Sequence, residues 1–174
     1  MSEYNTNPTN VNNLRSDKFK LVFRDIPHVD FFSAGVNLPG VSQNAQEIPN
    51  PVNRFYVGSN KLTFEQFTLN FRVDEDLKNY REIFNWLKGI TAPTDTEEFR
   101  AFIASKNKLQ NKMTYNVYSD ATLYSLTNSH NKNVAVYFHD MMPTQLSGLE
   151  FSNENNAVMN ATATFNFLSY DFGE

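Results

Sequence analysis

Apolar and polar side chains alternate over several stretches of this chain, and this two-residue period is typical of strands with one buried face. Near the start, Phe19, Leu21 and Phe23 lie two residues apart and predict the first strand. The alternation is clearest over residues 61–73, where four apolar side chains share one face. Further strands are predicted over residues 31–36, 121–126, 134–139, 146–151 and 158–170.

One stretch has the period of an α-helix. Apolar residues recur three or four positions apart after residue 76, which predicts an amphipathic helix over residues 75–88. Asp74 is expected to cap it, with Glu75 and Asp76 in a first turn where the helix dipole favours anions, and Gly89 is expected to end it. The side chains predicted to pack on the sheet are Leu77, Tyr80, Ile83, Phe84 and Leu87.

Two segments interrupt these patterns. Residues 37–60 contain three prolines, which break ladder hydrogen bonding, so we predict a long connection with strands of the edge type at most. Its apolar residues favour a functional loop over a disordered one. Residues 91–116 are predicted to form an insertion or linker, with a short helix near residues 96–104 and a polar remainder.

The order of these elements predicts the domain organisation and the fold class. Residues 1–14 lack hydrophobic anchors and are expected to form a flexible arm, and residues 15–174 are expected to form a single domain. Strands, one helix and then strands indicate a mainly β protein, a sandwich or barrel with one packed α-helix.

Composition narrows the function classes. The net charge is −4 and the basic residues are scattered, which argues against a general nucleic-acid-binding surface. The chain has no cysteine, which excludes disulfides, cysteine nucleophiles and Cys-ligated metals. The first residues lack the apolar region of a signal peptide, and no apolar stretch is long enough for a membrane anchor.

Candidate catalytic chemistry is sparse. The three histidines lie apart in the sequence, and His139-Asp140 lacks the further ligands that a metal-dependent hydrolase needs. The acidic run Asp74–Asp76 is explained by helix capping, and no carboxylate pair is singled out for general acid and base catalysis. We therefore expect no enzyme activity, no metal and no cofactor.

Three segments carry a resemblance to a known family. The first comprises Leu38-Pro39-Gly40, Ile48-Pro49, Asn53-Arg54, Gly58 and Lys61. The second comprises TFEQFTL at residues 63–69, DED at 74–76 and IFNW at 83–86. The third runs from Phe138 through MPT at 142–144 and NENN at 153–156 to FNFLSY at 165–170. In order and spacing, these pieces resemble the tail tube proteins of contractile-tailed, T-even-type bacteriophages.

The resemblance implies a structural subunit that forms homohexameric rings, whose strands join into an inner barrel. The rings would stack into a tube inside a contractile sheath, and DNA would pass through it without sequence-specific binding. The loop over residues 38–60 would reach the neighbouring ring or subunit, and the helix would face the sheath. The residues implied for the loop contact are Leu38, Pro39, Ile48, Pro49, Asn53, Arg54, Phe55 and Tyr56.

The strands also offer candidates for the wall of the channel. A polar, weakly charged lumen would let DNA slide, because strong phosphate binding would hold it. Uncharged polar residues that alternate with apolar ones fit this role: Thr68, Asn70, Thr162, Thr164 and Asn166. Ordinary solvent-facing strand positions are the alternative interpretation.

The resemblance further implies the partners and the location. The partners would be other copies of the chain, the sheath, the baseplate and the tape measure protein, in a virion assembled in the host bacterial cytoplasm. The segment 91–116 is longer than the family's usual connection and the N-terminal arm does not match. A baseplate tube initiator, a tail terminator or the tube of a related injection or secretion device therefore remains an alternative.

Overall fold

The computed structural model describes residues 12–49, 53–91, 117–152 and 157–173, together with the helical residues 97, 100, 101, 103 and 104. Within these residues the elements, in chain order, are β1 (Phe19–Phe23), α1 (Pro27–Phe31), β2 (Ser33–Val36), β3 (Val41–Pro49), β4 (Arg54–Phe64), β5 (Phe67–Arg72), α2 (Lys78–Thr91), β6 (Ser119–Leu126), β7 (Lys132–Leu146), β8 (Asn160–Asn166) and β9 (Ser169–Gly173).

Seven strands form one sheet in the order β1-β6-β7-β8-β5-β2, and β9 also pairs with β7. The fifteen-residue β7 pairs with β6 and β9 through its first part and with β8 through its second part. Asp140 lies between the two parts with φ 53°, and the register with β6 shifts there. No pairing joins the edge strands β1 and β2 among the described residues, so the sheet is not closed.

Aromatic side chains form much of the core, which lies against the buried face of this sheet. Phe165 is fully buried, and its ring centroid lies 5.5 Å from that of Phe23, 6.1 Å from that of Phe67 and 6.0 Å from that of Trp86. Trp86 comes from α2, and its indole N–H donates to the Val117 carbonyl. The core therefore connects the strands β1, β5 and β8 to the long helix α2. The mainly β fold class that the alternation predicted is confirmed.

Residues 37–60, predicted to form a connection, contain most of a two-stranded antiparallel ribbon made by β3 and β4. The pairing runs from Val41 opposite Phe64 to Pro49 opposite Arg54. The prediction allowed for edge-type strands, and both strands of the ribbon are of that type, because each has one unpaired edge among the described residues. The prolines do not interrupt the ladder, since Pro39 precedes β3 and Pro49 is its last residue. We call β3 and β4 the ribbon.

Several predicted strand limits are corrected. The strand predicted over residues 61–73 is divided at Glu65 and Gln66 between β4 and β5, and the strand predicted over 31–36 begins only after the helix α1. The strand predicted over 134–139 is part of the longer β7, which continues through Pro143, opposite Phe165, to Leu146. The strand predicted over 146–151 is wrong, because residues 147–151 are not in a strand. The strand predicted over 158–170 is divided into β8 and β9.

The long helix begins later than predicted. Asp74 to Leu77 form a turn, Leu77 has φ 56°, and α2 starts at Lys78, so the acidic run does not cap the helix. The buried Asn79 organises this turn instead. Its amide donates to the Arg72 carbonyl at 2.7 Å and its carbonyl oxygen accepts from the Asp74 amide at 3.2 Å. Gly89 is a buried residue within α2, rather than its end.

The remaining predictions of domain organisation lie partly outside the described residues. Of the arm predicted over residues 1–14, residues 12–14 are described and exposed. The short helix predicted near 96–104 agrees with the helical residues described there, and Ile103 is buried. The polar remainder of 91–116 lies outside the described residues. The short helix α1 was not predicted from the sequence.

Candidate assembly surfaces

The ribbon exposes large apolar side chains on both faces. Opposed residues of an antiparallel pair share a face, so Ile48 and Phe55 lie on one face while Tyr56 lies with Glu47 on the other. Phe55 is 63% exposed and Tyr56 is 57% exposed. None of the described ribbon residues is buried, because the nine residues of β3 and the eleven of β4 contact mainly each other.

Asn37 anchors the root of the ribbon. Its side chain accepts from the Thr68 amide at 2.6 Å and donates to the Gln66 carbonyl at 3.0 Å. Gly40 then approaches Glu65, whose amide donates to the Gly40 carbonyl; a Cβ at position 40 would lie 2.9 Å from the Glu65 carboxylate. Asn37 was not predicted as an anchor, because no local pattern links it to residues 29 and 31 positions away.

The predicted loop-contact residues fall into two groups. Pro39 is buried, and its carbonyl accepts from the Tyr170 hydroxyl at 3.3 Å, so it belongs to the root. The others are exposed: Leu38, Ile48, Pro49, Asn53, Arg54, Phe55 and Tyr56. Arg54 also pairs with Glu47 across the ribbon at 3.4 Å. Seven of the eight predicted residues are therefore exposed on or beside the ribbon, and they lie on both of its faces.

The five candidate lumen residues share one face of β5 and β8, which we call the polar face. Thr68 lies opposite Thr164 and Asn70 opposite Thr162, while their chain neighbours point into the core. The Thr162 hydroxyl donates to the Asn70 side-chain oxygen at 2.8 Å. Gln66 likewise donates to the Asn166 side chain at 3.1 Å. Thr144 of β7 extends this uncharged network, since its hydroxyl donates to the Thr164 carbonyl.

The buried face of α2 differs from the apolar face predicted from the sequence. Ile83 is buried, and Tyr80 and Leu87 pack against the core from its margin. Phe84 is 52% exposed, and Leu77 precedes the helix, so the prediction that these two pack along the helix is wrong. Trp86 takes the missing place in the stripe because the helix is rotated relative to the predicted face.

The end of the sheet opposite the ribbon carries two open clefts, and we call it the far end. One cleft is lined by Phe19, Phe31 and Arg72 and lies between the edge strands β1 and β2. The other is lined by Phe151, Val158 and Asn160 in the connection from β7 to β8. Arg72 and Asn160 are strand partners, so the clefts adjoin each other.

Two of the histidines pair with single acidic side chains. His139 lies 3.3 Å from Asp171 and not beside Asp140 in a ligand set, and His28 contacts Glu82 at 2.5 Å. Burial raises the pKa of Asp30 to about 6, although the Phe23 amide donates to its carboxylate at 2.8 Å and opposes the shift. Among the described residues, no three His, Asp or Glu side chains lie close enough to hold a metal ion.

In the described part of the chain, no helix is both long enough and apolar enough to cross a bilayer.

Comparison with known proteins shows which family this chain is similar to. A family model described as phage tail tube protein matches residues 3–173. Among solved structures, the chain is similar to the sheath/tube terminator of an extracellular contractile injection system, PVC, in its extended state. That match has 17% identity and a TM-score of 0.63, and it covers 94% of this chain and 98% of that chain. No curated protein sequence matches the chain significantly.

Two further structures share the fold. The tube-terminating cap of the anti-feeding prophage has 11% identity and a TM-score of 0.65, with 99% of each chain covered. A chain of the PVC sheath-tube complex in the extended state has 16% identity and a TM-score of 0.61, covering 92% of this chain and 91% of that chain. At these identities the structural likeness establishes the fold.

Proposed function

The chain belongs to the phage tail tube protein family, and we propose that it assembles as the subunit of a contractile tail tube, in stacked hexameric rings. The family match confirms the resemblance predicted from the sequence. The chain is a structural protein of the contractile-system type rather than an enzyme, as are its family and structural relatives.

The ribbon is the observation that carries this proposal. A two-stranded ribbon is marginally stable in water on its own, and large exposed apolar groups on both faces mark an interaction surface. Within the described residues, the sheet leaves Ile48, Phe55 and Leu62 at least 49% exposed. A neighbouring subunit or ring would cover them, and it would also extend the unpaired edges of the ribbon.

The polar face supports the role of a channel wall. Asn166 and Asn70 form hydrogen bonds with uncharged side chains, so the face offers DNA phosphates no cation between these two residues. Arg72, the next residue of β5 on this face, carries a positive charge at its end. Phosphate binding requires Lys or Arg and releases counterions, and a neutral wall avoids that strong attachment. In this arrangement DNA passes through without sequence-specific binding.

The remaining surfaces fit the partners of such a tube. The exposed side of α2, with Phe84 at its centre, would face the contractile sheath, while the ring ends would contact other rings, the baseplate or the tape measure protein. The protein would be part of the virion and would assemble in the cytoplasm of the host.

Light scattering after size exclusion, with negative-stain microscopy of the same sample, tests the proposal. A ring of six 20.0 kDa subunits has a mass of about 120 kDa, and tubes would show a central hole. A strictly monomeric protein at high concentration would contradict the proposal.

Ile48→Asp and Leu38→Asp sharpen this test. Both side chains are about half exposed, so the monomer should stay folded while ring stacking is lost. Asn85→Asp on the exposed side of α2 is the matched control, and it should leave stacking intact. Unchanged tube formation by both variants would rule out the ribbon, and the segment that leads into it, as the stacking element.

A tail terminator is the second candidate, because two structural relatives that match nearly the whole chain are a sheath/tube terminator and a tube-terminating cap. A terminator would form single rings that bind one end of a preformed tube and do not elongate. Microscopy of the protein alone separates the two roles.

A further inference from the structure

The short helix α1 links the two edge strands of the sheet. It lies three residues after β1 and leads through Phe32 into β2, a strand of four residues. The Arg72 amide donates to the Phe32 carbonyl at 2.9 Å, and the Ser33 hydroxyl donates to the Asp30 carbonyl at 3.0 Å. The position of α1 therefore affects how firmly the start of β2 is held on the sheet.

Two carboxylates lie at the contact between α1 and α2. Asp30 of α1 is half-buried, and its carboxylate accepts a hydrogen bond from the Phe23 amide of β1 at 2.8 Å. One carboxylate oxygen of Glu82 in α2 contacts the His28 ring of α1 at 2.5 Å. The other oxygen is buried and has no hydrogen-bond partner among the described residues. Holding two neighbouring carboxylates out of water is unfavourable while both are charged.

The protonation of Asp30 depends on burial and on charges from the elements around it. Burial raises the pKa of Asp30 to about 6; Glu82 of α2 acts in the same direction, while Lys20 of β1 opposes it. In the turn before α1, Arg24 and Asp25 pair with each other at 3.7 Å. The Asp30 carboxyl therefore takes up its proton at a pH where an exposed aspartate is still charged.

We propose that α1 is a proton-controlled latch, closed on α2 in acid and loosened near neutral pH, which regulates how firmly the edge strand β2 is held. In the closed state Asp30 is neutral, and Glu82 is the negative group that His28 contacts. Loss of the proton places a second negative charge near Glu82, and opening of α1 lets water reach both carboxylates. The latch is a property of the subunit and does not depend on the proposed tube function.

The direction of the pH effect follows from linkage. Asp30 binds its proton more tightly when α1 is closed, so the contribution to closure is complete below about pH 4 and is lost as pH rises through about 6. The contact between His28 and Glu82 acts in the same direction, because it is an ion pair only while the imidazole is protonated.

Hydrogen–deuterium exchange of the full chain, followed by mass spectrometry, tests the latch. Exchange rates are corrected for their intrinsic dependence on pH, and light scattering verifies one assembly state across the range. For peptides covering α1 and β2, the opening equilibrium should increase by up to about tenfold between about pH 5 and about pH 7.5, as Asp30 loses its proton. Tenfold is the upper limit, because solvent partly screens this half-buried charge.

Asp30→Asn is the decisive variant because it imitates the protonated carboxyl. At about pH 7.5 its α1 and β2 peptides should exchange more slowly than those of the parent, at close to the corrected rate of the parent at about pH 5. Asp76→Asn changes an exposed acid before α2 and should keep the parent's pH dependence. Faster exchange in Asp30→Asn than in the parent would show that the charged carboxylate supports α1, and it would overturn the latch.

Urea at low concentration provides a second test, which needs no variant. Local opening of α1 exposes little surface, so exchange of its peptides should stay almost constant in urea, whereas exchange of β8 should rise steeply. Equal urea dependence in the two regions would mean that α1 opens only when the whole domain unfolds. That result would also overturn the latch.

Discussion

The seven-stranded sheet and the ribbon are built from similar residues and differ in what they contact. Both contain Phe, Tyr, Val and Leu in extended conformation, but the strand β5 alternates buried and polar positions whereas β3 contains only exposed ones. The sheet buries aromatic residues such as Phe71 and Phe138 in the chain's own core, while Phe55 and Tyr56 of the ribbon are exposed. Phe64, the last residue of β4, differs from these two because its ring lies 5.4 Å from that of Tyr170. Composition alone therefore does not determine whether a strand serves the subunit or its partners.

The contrast also separates stability from assembly. Burial of apolar area stabilises the monomer through the sheet, at roughly 25 cal/mol for each Å² removed from water. The same energy is available at the ribbon only when another surface covers it. Substitutions in the two regions should consequently affect different measurements.

The largest effect is expected for Phe165→Ala, which deletes a fully buried ring packed against Phe23, Phe67 and Trp86. The free energy of unfolding should fall by about 3–5 kcal/mol. The matched change Phe55→Ala in the ribbon should alter monomer stability by about 0.5 kcal/mol or less and should weaken assembly. Urea unfolding of the monomer and electron microscopy measure the two effects. Equal losses of stability would abolish the distinction between the regions.

Asn79→Ala is expected to have the next largest effect. The change leaves the Arg72 carbonyl and the Asp74 amide without their partner at the buried entry to α2. A loss of about 1–3 kcal/mol in the free energy of unfolding follows from the unsatisfied groups. Asn85→Ala, on the exposed side of the same helix, is the control and should stay within about 0.5 kcal/mol of the parent. The same loss in both variants would point to helix propensity instead.

A smaller effect on the free energy of unfolding is expected from pH, through Asp30 of α1. The pKa of Asp30 is about 6 in the folded protein, above the value near 3.9 of an unfolded chain, so the folded state binds this proton more tightly. The stability contributed by this group is present below about pH 4 and is lost as pH rises through about 6. Asp30→Asn should remove this slope, as measured by urea unfolding across the pH range.

Glu47→Gln on the ribbon is the control for that titration, because Glu47 lies on an exposed ribbon strand. Its pH profile should keep the parent's slope between pH 4 and 6. If Asp30→Asn keeps that slope as well, the burial of Asp30 does not govern the pH dependence.

The smallest effect is expected for Phe84→Ala, since this side chain is 52% exposed on α2. Its loss should change the free energy of unfolding by about 1 kcal/mol or less, whereas Ile83→Ala, fully buried one residue earlier, should cost about 2–4 kcal/mol. Thermal or urea unfolding distinguishes them. A large loss of stability in Phe84→Ala would instead support the helix face that the spacing predicted.

The strands of the sheet could be predicted from the sequence, whereas those of the ribbon could not. Alternation predicted β1, β5, β6 and the face on which Thr68 and Thr164 lie, because burial of one face imposes that period. The ribbon has no buried face, so no period marks it, and its prolines indicated a loop. The five-residue α1 is too short for a helical period to show.

Long-range contacts explain the other differences. The acidic residues before α2 matched a helix start, but Leu77 leaves the helical conformation and Asn79 binds the strand end instead. Asn37 reaches Thr68 across thirty-one positions, which no local pattern encodes. Of the eight predicted loop-contact residues, seven are exposed. Apolar and aromatic residues close to prolines and other turn-forming residues allowed this prediction.

The continuity of β7 has a mechanical consequence. A single strand pairs with β6 and β9 at one end and with β8 at the other, so the two halves of the sheet share a covalent backbone. A force that pulls these halves apart along the strand loads many parallel hydrogen bonds together, instead of opening them one by one. A subunit with this connection resists tension and torsion along β7 as one elastic element.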